Sequence, residues 1–226
     1  MPAFRAALID LWDTMAHAGW GRHMASLEGR TGVPARSILD AFVRTRPARS
    51  IGTYANAEGD LAAVLADAGV EHDPALVREL AEMEAAFFEA NVRLFDDVRP
   101  ALEGLRARGI RTALVSNCSH ATRPALDRLE LPQAVDAVVL SFEVHAAKPD
   151  ATIYRLALGR LGVDAADTVF VDDAGEYCAG AQAIGIRPFL IRRGQQGQER
   201  FDGPPAADPR FPEIGRLTDL LAVLDA

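Results

Sequence analysis

The sequence predicts an α/β fold on a doubly wound parallel sheet, with a helical domain inserted after the first strand. Three observations predict it. Strand-length apolar runs alternate with helical patterns in the second half of the chain. Residues 16–95 are helical in character almost throughout. The apolar runs stop at polar residues, the edge at which an open parallel sheet binds ligands.

Taken in order, FRAALI is a short apolar run ending at Asp10, followed by a turn that presents Asp10, Asp13 and Thr14. Helical patterns follow in SILDAFVRT, GDLAAVLADAG and PALVRELAEMEAAFFEANVRLF, with no strand signal among them. The stripe Leu76, Leu80, Met83, Phe87 recurs at helical spacing and reads as core. An all-helical stretch after strand one is most simply a cap inserted in a loop, giving a core domain of residues 1–15 and 96–226 and a cap domain of residues 16–95. Runs then recur at IRTALVS, VDAVVLS, TVFV and RPFLI. The segments VRPALEGLRARG, ATRPALDRLE, DATIYRLALGRLG and GEYCAGAQAIG supply helices for both faces of the sheet. The stretch GQQGQERFDGPPAADPRFPEIG reads as a surface loop before a last helix, IGRLTDLLAVLD.

The 226 residues are about half apolar and carry a formal net charge of -8, which speaks against nucleic acid or an anionic membrane as partner. A small-molecule substrate fits better, with the protein a monomer or homodimer. No long apolar leader or membrane-length run is present, so a cytoplasmic location is expected. Cys118 and Cys178 lack CxxC spacing and read as small space-filling residues beside loops.

Four places carry the chemistry: Asp10 with Thr14, Ser116-Asn117 after TALV, Lys148-Pro149 past VVLS, and Asp172-Asp173 after TVFV. Carboxylates that meet at one point repel unless a cation sits between them, and a hard oxygen-rich cage of Asp10, Asp172 and Asp173 suits Mg²⁺. A carboxylate held there can attack phosphorus and form an acyl-phosphate. Ser116 and Lys148 would then hold the phosphoryl oxygens.

DLWDTM, LVSN, SFEVHAAKPDATIYRLALGRLGV and FVDDAGEYCAGAQAIG resemble, in order and spacing, the four motifs of the haloacid dehalogenase (HAD) superfamily, subfamily I with a helical C1 cap. The resemblance covers the whole chain and implies a HAD-like Rossmannoid core. It makes Asp10 the nucleophile, Thr14 and Ser116 orienting hydroxyls, and Lys148 the stabiliser of the nucleophile and the transferring group. It makes Asp173, helped by Asp172, a Mg²⁺ ligand. It implies a phosphatase of a small phosphorylated metabolite.

The chain departs from that pattern twice. The family's phosphatases carry a second Asp where this chain has Trp12, and indole does no acid–base work. Trp12 keeps the backbone carbonyl by which that position would ligate Mg²⁺. Three readings follow: a phosphatase whose proton comes from Asp13 or a cap residue, a 2-haloacid dehalogenase-like enzyme whose halide leaves unprotonated, and a catalytically silent accessory protein. Tyr177 stands where relatives have Asn or Asp, a bulkier and less anionic neighbour for the metal site.

The cap should choose the substrate. AHAGWGRH places His17, Trp20, Arg22 and His23 near the mouth, with Gly19 and Gly21 lending mobility. VRTRPARSIGTY bunches Arg44, Arg46 and Arg49 before Tyr54, either as an anion clamp or as a solvated helix end. The substrate-binding candidates are Asn117, His17, Trp20, Arg44 and Arg46.

Overall fold

A computed structural model describes residues 4–194 and 208–225. The chain begins with β1 (Ala6–Ile9), buried along its whole length because it runs between two other strands. After a turn come β2 (Ala16–His17) and four helices: α1 (Trp20–Thr31), α2 (Ala35–Ser50), α3 (Ala57–Asp67) and α4 (Pro74–Asn91). The chain returns through β3 (Arg93–Leu94), which pairs antiparallel with β2, Ala16 facing Leu94 and His17 facing Arg93. These short strands fall where no strand was expected. Two residues carry no period of their own, and here it is pairing across the helical insertion that defines them.

The remainder alternates: α5 (Val98–Ala107), β4 (Arg111–Ser116), α6 (Thr122–Arg128), α7 (Leu131–Ala134), β5 (Ala137–Leu140), α8 (Ser141–Val144), α9 (Ala151–Leu161), β6 (Thr168–Asp172), α10 (Gly175–Ala183), β7 (Arg187–Ile191), β8 (Glu213–Ile214) and α11 (Asp219–Asp225). The sheet is parallel throughout, in the order β5-β4-β1-β6-β7-β8. Strand order reverses at β1, whose Ile9 pairs with Leu114 on one side and Val171 on the other. The last residues of β1, β4 and β6 therefore lie side by side, at the switch point where such sheets bind ligands.

Local chemistry explains the boundaries. Asp73 caps α4 by accepting from the Leu76 amide at 2.8 Å, with Pro74 in the first turn where its missing N–H costs nothing. Asp150 caps α9, which ends at Gly162 in the left-handed conformation (φ 63°). β8 was expected to be the start of the last helix. Ile214 instead pairs with Ile191, and the Asp219 carboxylate accepts from the Gly215 and Arg216 amides, so the helix begins only at Asp219. Most of the expected loop before it lies outside the described residues.

Two apolar clusters cover the two faces of the sheet. One packs α5, α6 and α11 against Ile9, Leu114 and Val171; the other packs α9 and α10 against Leu8, Val115 and Phe170. α1–α4 enclose a third cluster of their own that includes Leu27, Ile38, Leu61, Leu65 and Leu80. Each such buried side chain contributes about 1.5–3 kcal/mol. The buried face of α4 is centred on Val77, Leu80, Glu84 and Phe88, one position on from most of the expected stripe, with Leu76, Met83 and Phe87 half-buried beside it. Among the described residues no helix is long and apolar enough to cross a membrane.

Candidate active site

The turn after β1 is tightly closed. The Met15 and Ala16 amides both donate to Leu11 O at 2.8 Å, and the Asp13 amide donates to Ala16 O at 2.8 Å. Asp10 is anchored through its amide to Val171 O at 3.0 Å, so its carboxylate sits at the end of the sheet, 5% exposed. Asp13 adopts φ 55°, a left-handed conformation that Asp tolerates better than most residues. The turn places Asp13 on the wall of a cavity, together with Trp12.

Lys148 comes from the loop after α8. Its ammonium donates to Asp10 Oδ1 at 2.5 Å and to Asp172 Oδ2 at 2.6 Å, with its side chain wholly buried. The ring of Tyr177 lies 5.0 Å from it and that of Phe170 5.5 Å, two aromatic faces that favour the cation. Asn117 fixes the same loop, donating to Lys148 O and accepting from the Lys148 amide, both at 2.8 Å. Asn117 thus acts by holding Lys148. Close packing of α10 on this loop requires Gly180, because a Cβ there would lie 2.6 Å from Pro149 O.

Asp172 ends β6 and also accepts from the Ala174 amide at 2.8 Å. Asp10, Asp172 and Asp173, all buried, each offer an oxygen within 4.8 Å of the others. Three carboxylates against one ammonium leave a surplus of two negative charges. Burial, with Lys148 opposing and Asp172 adding, pushes the Asp10 carboxyl up to about 7. Burial works against the charge of Lys148 too, but Asp10 and Asp172 more than offset it and hold its pKa above the ordinary lysine value. A hard divalent cation fits this donor set in both charge and chemistry.

Two buried hydroxyls at the same corner, Thr14 Oγ1 and Ser116 Oγ, have no hydrogen-bond partner. Both are positions expected to meet substrate oxygens. Burial pushes the Cys118 thiol up to about 12 and raises that of Cys178 as well, in keeping with space-filling roles.

The cavity beside this corner takes its walls from both regions: Trp12, Asp13 and Asn117 from the sheet side, and Trp20, Arg46 and Glu84 from the helices. Trp12 and Trp20 meet edge to face at 5.8 Å, and Trp12 also packs on Phe88 at 5.9 Å. Two expected substrate residues lie elsewhere. The ring of His17 packs 4.9 Å from Phe95 and is not part of the cavity wall. Arg44 is an exposed residue bonded to Asp67 of α3 at 2.8 Å, because the face of α2 that carries it looks toward α3 and solvent. Gly21, expected in a mobile turn, lies inside α1.

Three residues went unnoticed in the sequence. Glu84 occupies a buried position of α4 and reaches the cavity; an acid at the spacing of Val77, Leu80 and Phe88 was its signal. Asp60 of α3 accepts from the His120 ring Nδ1 at 2.8 Å and from the His120 amide at 3.2 Å, tying the helices to the loop after β4. Arg193 donates to Thr14 O at 2.9 Å and to the Asp97 carboxylate at 2.7 and 2.8 Å, bracing the turn that carries the site. Nothing local marks those last two contacts, which span 60 and 179 residues of chain.

The haloacid dehalogenase-like hydrolase model matches residues 4–185. A phosphatase of Mycobacterium tuberculosis is 27% identical over 209 residues, 86% of this chain and 90% of its own. A phosphoglycolate phosphatase of Pectobacterium atrosepticum is 30% identical over 221 residues, 95% of this chain and 92% of its own. The fold matches L-2-haloacid dehalogenase of Xanthobacter autotrophicus with chloropropionic acid covalently bound, at TM-score 0.71 and 18% identity over 99% of each chain. A parallel sheet switching direction at β1, acids and a lysine converging at its end, and a family match over most of the length agree: this chain belongs to the haloacid dehalogenase-like hydrolases.

Proposed function

We propose that the protein is a phosphatase of a small phosphorylated metabolite, working through a phosphoryl group carried on Asp10. The observation that carries the reading is the convergence of Asp10, Asp172 and Asp173 around Lys148 at one end of the sheet. Asp10, Asp172, Asp173 and the Trp12 carbonyl would hold Mg²⁺, which when bound supplies positive charge for the phosphoryl oxygens.

The chain's own residues do the rest. An Asp10 carboxylate oxygen attacks phosphorus, and the bond from phosphorus to the leaving oxygen breaks. Lys148 opposes the burial that disfavours the Asp10 carboxylate and holds it in place at 2.5 Å, while the Ser116 and Thr14 hydroxyls donate to the oxygens in flight. With Trp12 unable to give a proton, Asp13 on the cavity wall is the group we assign to protonating the leaving oxygen and then to deprotonating the water that cleaves the acyl-phosphate. We infer that α1–α4 act as the cap that excludes water from this exchange.

The aromatic ring of Trp12 favours one second reading, a 2-haloacid dehalogenase-like reaction in which chloride leaves unprotonated. A screen of phosphate esters and 2-chloroacids with and without Mg²⁺ separates the two. Mg²⁺-dependent phosphate release supports the phosphatase; metal-independent chloride release overturns it.

A further inference from the structure

Glu84 is 6% exposed. Its Oε1 lies 3.5 Å from His23 Nε2, and the charge of Arg49 acts on it as well; His23 is itself fully buried with both ring nitrogens unpartnered. A carboxylate so largely enclosed keeps little hydration, and a further hydrogen-bond donor would stabilise it. It also lines a cavity of about 100 Å³. A donor on a bound molecule would satisfy it.

We propose that Glu84 is the specificity-determining acceptor of this enzyme, and that the part of the substrate it selects is a short neutral polyol esterified to phosphate. The proposal rests on the phosphatase reading above.

Charge, shape and geometry select that class. The cavity wall carries two acids, Asp13 and Glu84, beside two bases, Arg46 and Arg49. An anionic tail would face the Glu84 carboxylate. Arg49 is partly engaged already: its Nη2 donates to Phe42 O at 2.7 Å, its Nε to Thr45 Oγ1 at 3.0 Å, and its guanidinium lies over the Phe42 ring at 4.9 Å. Trp12, Trp20 and Phe88 offer aromatic faces to the C–H surface of a carbon skeleton. A cavity of this size holds roughly three waters at ~30 Å³ each, room for a fragment of a few carbons.

The test is calorimetric binding to the Asp10→Asn protein in Mg²⁺ buffer, which needs no turnover, beside turnover of the unaltered protein. The probes are glycerol 3-phosphate, 2-phosphoglycolate and phosphoethanolamine. Glycerol 3-phosphate should bind at least about 10-fold more tightly than either of the others. Adding Glu84→Met should erase that preference. Adding Glu84→Gln, which keeps an acceptor but no charge, should retain glycerol 3-phosphate and admit 2-phosphoglycolate. Preference for phosphoethanolamine or 2-phosphoglycolate, or a ranking unmoved by Glu84→Met, overturns the assignment. Selective binding without turnover would sink the phosphatase reading alone.

Discussion

At the end of the sheet, Lys148 bonds Asp10 and Asp172, Asp172 also takes the Ala174 amide, and Asn117 clasps the lysine's backbone twice. On the inner wall of the helical layer, both nitrogens of His23 and one oxygen of Asp60 are buried without partners, and Glu84 faces a cavity. The charged groups at the sheet end are cross-braced, and only the Thr14 and Ser116 hydroxyls are left over there among the described residues. On the proposed reading, the difference teaches that this molecule fixes the groups assigned to bond making and breaking, while the helical layer beside the cavity keeps unfilled polar groups. Rigid placement of reacting atoms is worth several kcal/mol of barrier, whereas a recognition wall needs open valences to fill.

The sharpest way to break this contrast is Asp10→Asn. Turnover of an aryl phosphate should fall by at least ~10³-fold while the far-UV circular dichroism stays the same. Retained activity would mean that the braced corner is not the reacting one.

Arg193→Ala should produce the largest loss of stability. It leaves Asp97, whose side chain is 1% exposed, without its cation though still bonded to the Leu217 amide, and removes a brace from Thr14 O. Breaking a buried pair in this way costs about 3–5 kcal/mol, readable as a lower urea midpoint with an unchanged slope.

Asp60→Ala probes the looser region. Burial raises the Asp60 carboxyl, with His120 opposing, so the native pair contributes less than an unburied one would. A loss of about 1–3 kcal/mol is expected. A cost matching that of Arg193→Ala would erase the contrast between the two regions.

The smallest effect is a pH-dependent one. A carboxyl raised from 3.8 to about 7 binds more protons in the folded than in the unfolded chain. In the absence of a cation, stability is therefore lost as pH climbs through that window. Mg²⁺ must displace the proton, so its stabilisation should be larger at pH 8 than at pH 5.5, about 1.4 kcal/mol at ten times its Kd. An equal thermal shift at both pH values would remove Asp10 from the cation site.

The sheet was legible in the sequence because runs such as TVFV and RPFLI are buried on both sides and announce themselves without any partner. The acids and Lys148 were legible because each stands where a run stops or just beyond. The failures share a cause. β2, β3 and β8 are two residues each and exist only through pairing. Arg44 and Arg46 are two positions apart on one helix, and tertiary packing alone decides that one meets Asp67 and the other the cavity. His17 looked like a mouth residue until β2 turned it toward Phe95.

The edge-to-face contact of Trp12 with Trp20 has a practical consequence, for these are the molecule's two tryptophans. One indole lies in the turn after β1 and the other opens the first helix of the insertion. Any swing of that insertion changes how the rings quench one another. The pair would serve as a label-free optical gauge of such a movement in a stopped-flow fluorimeter.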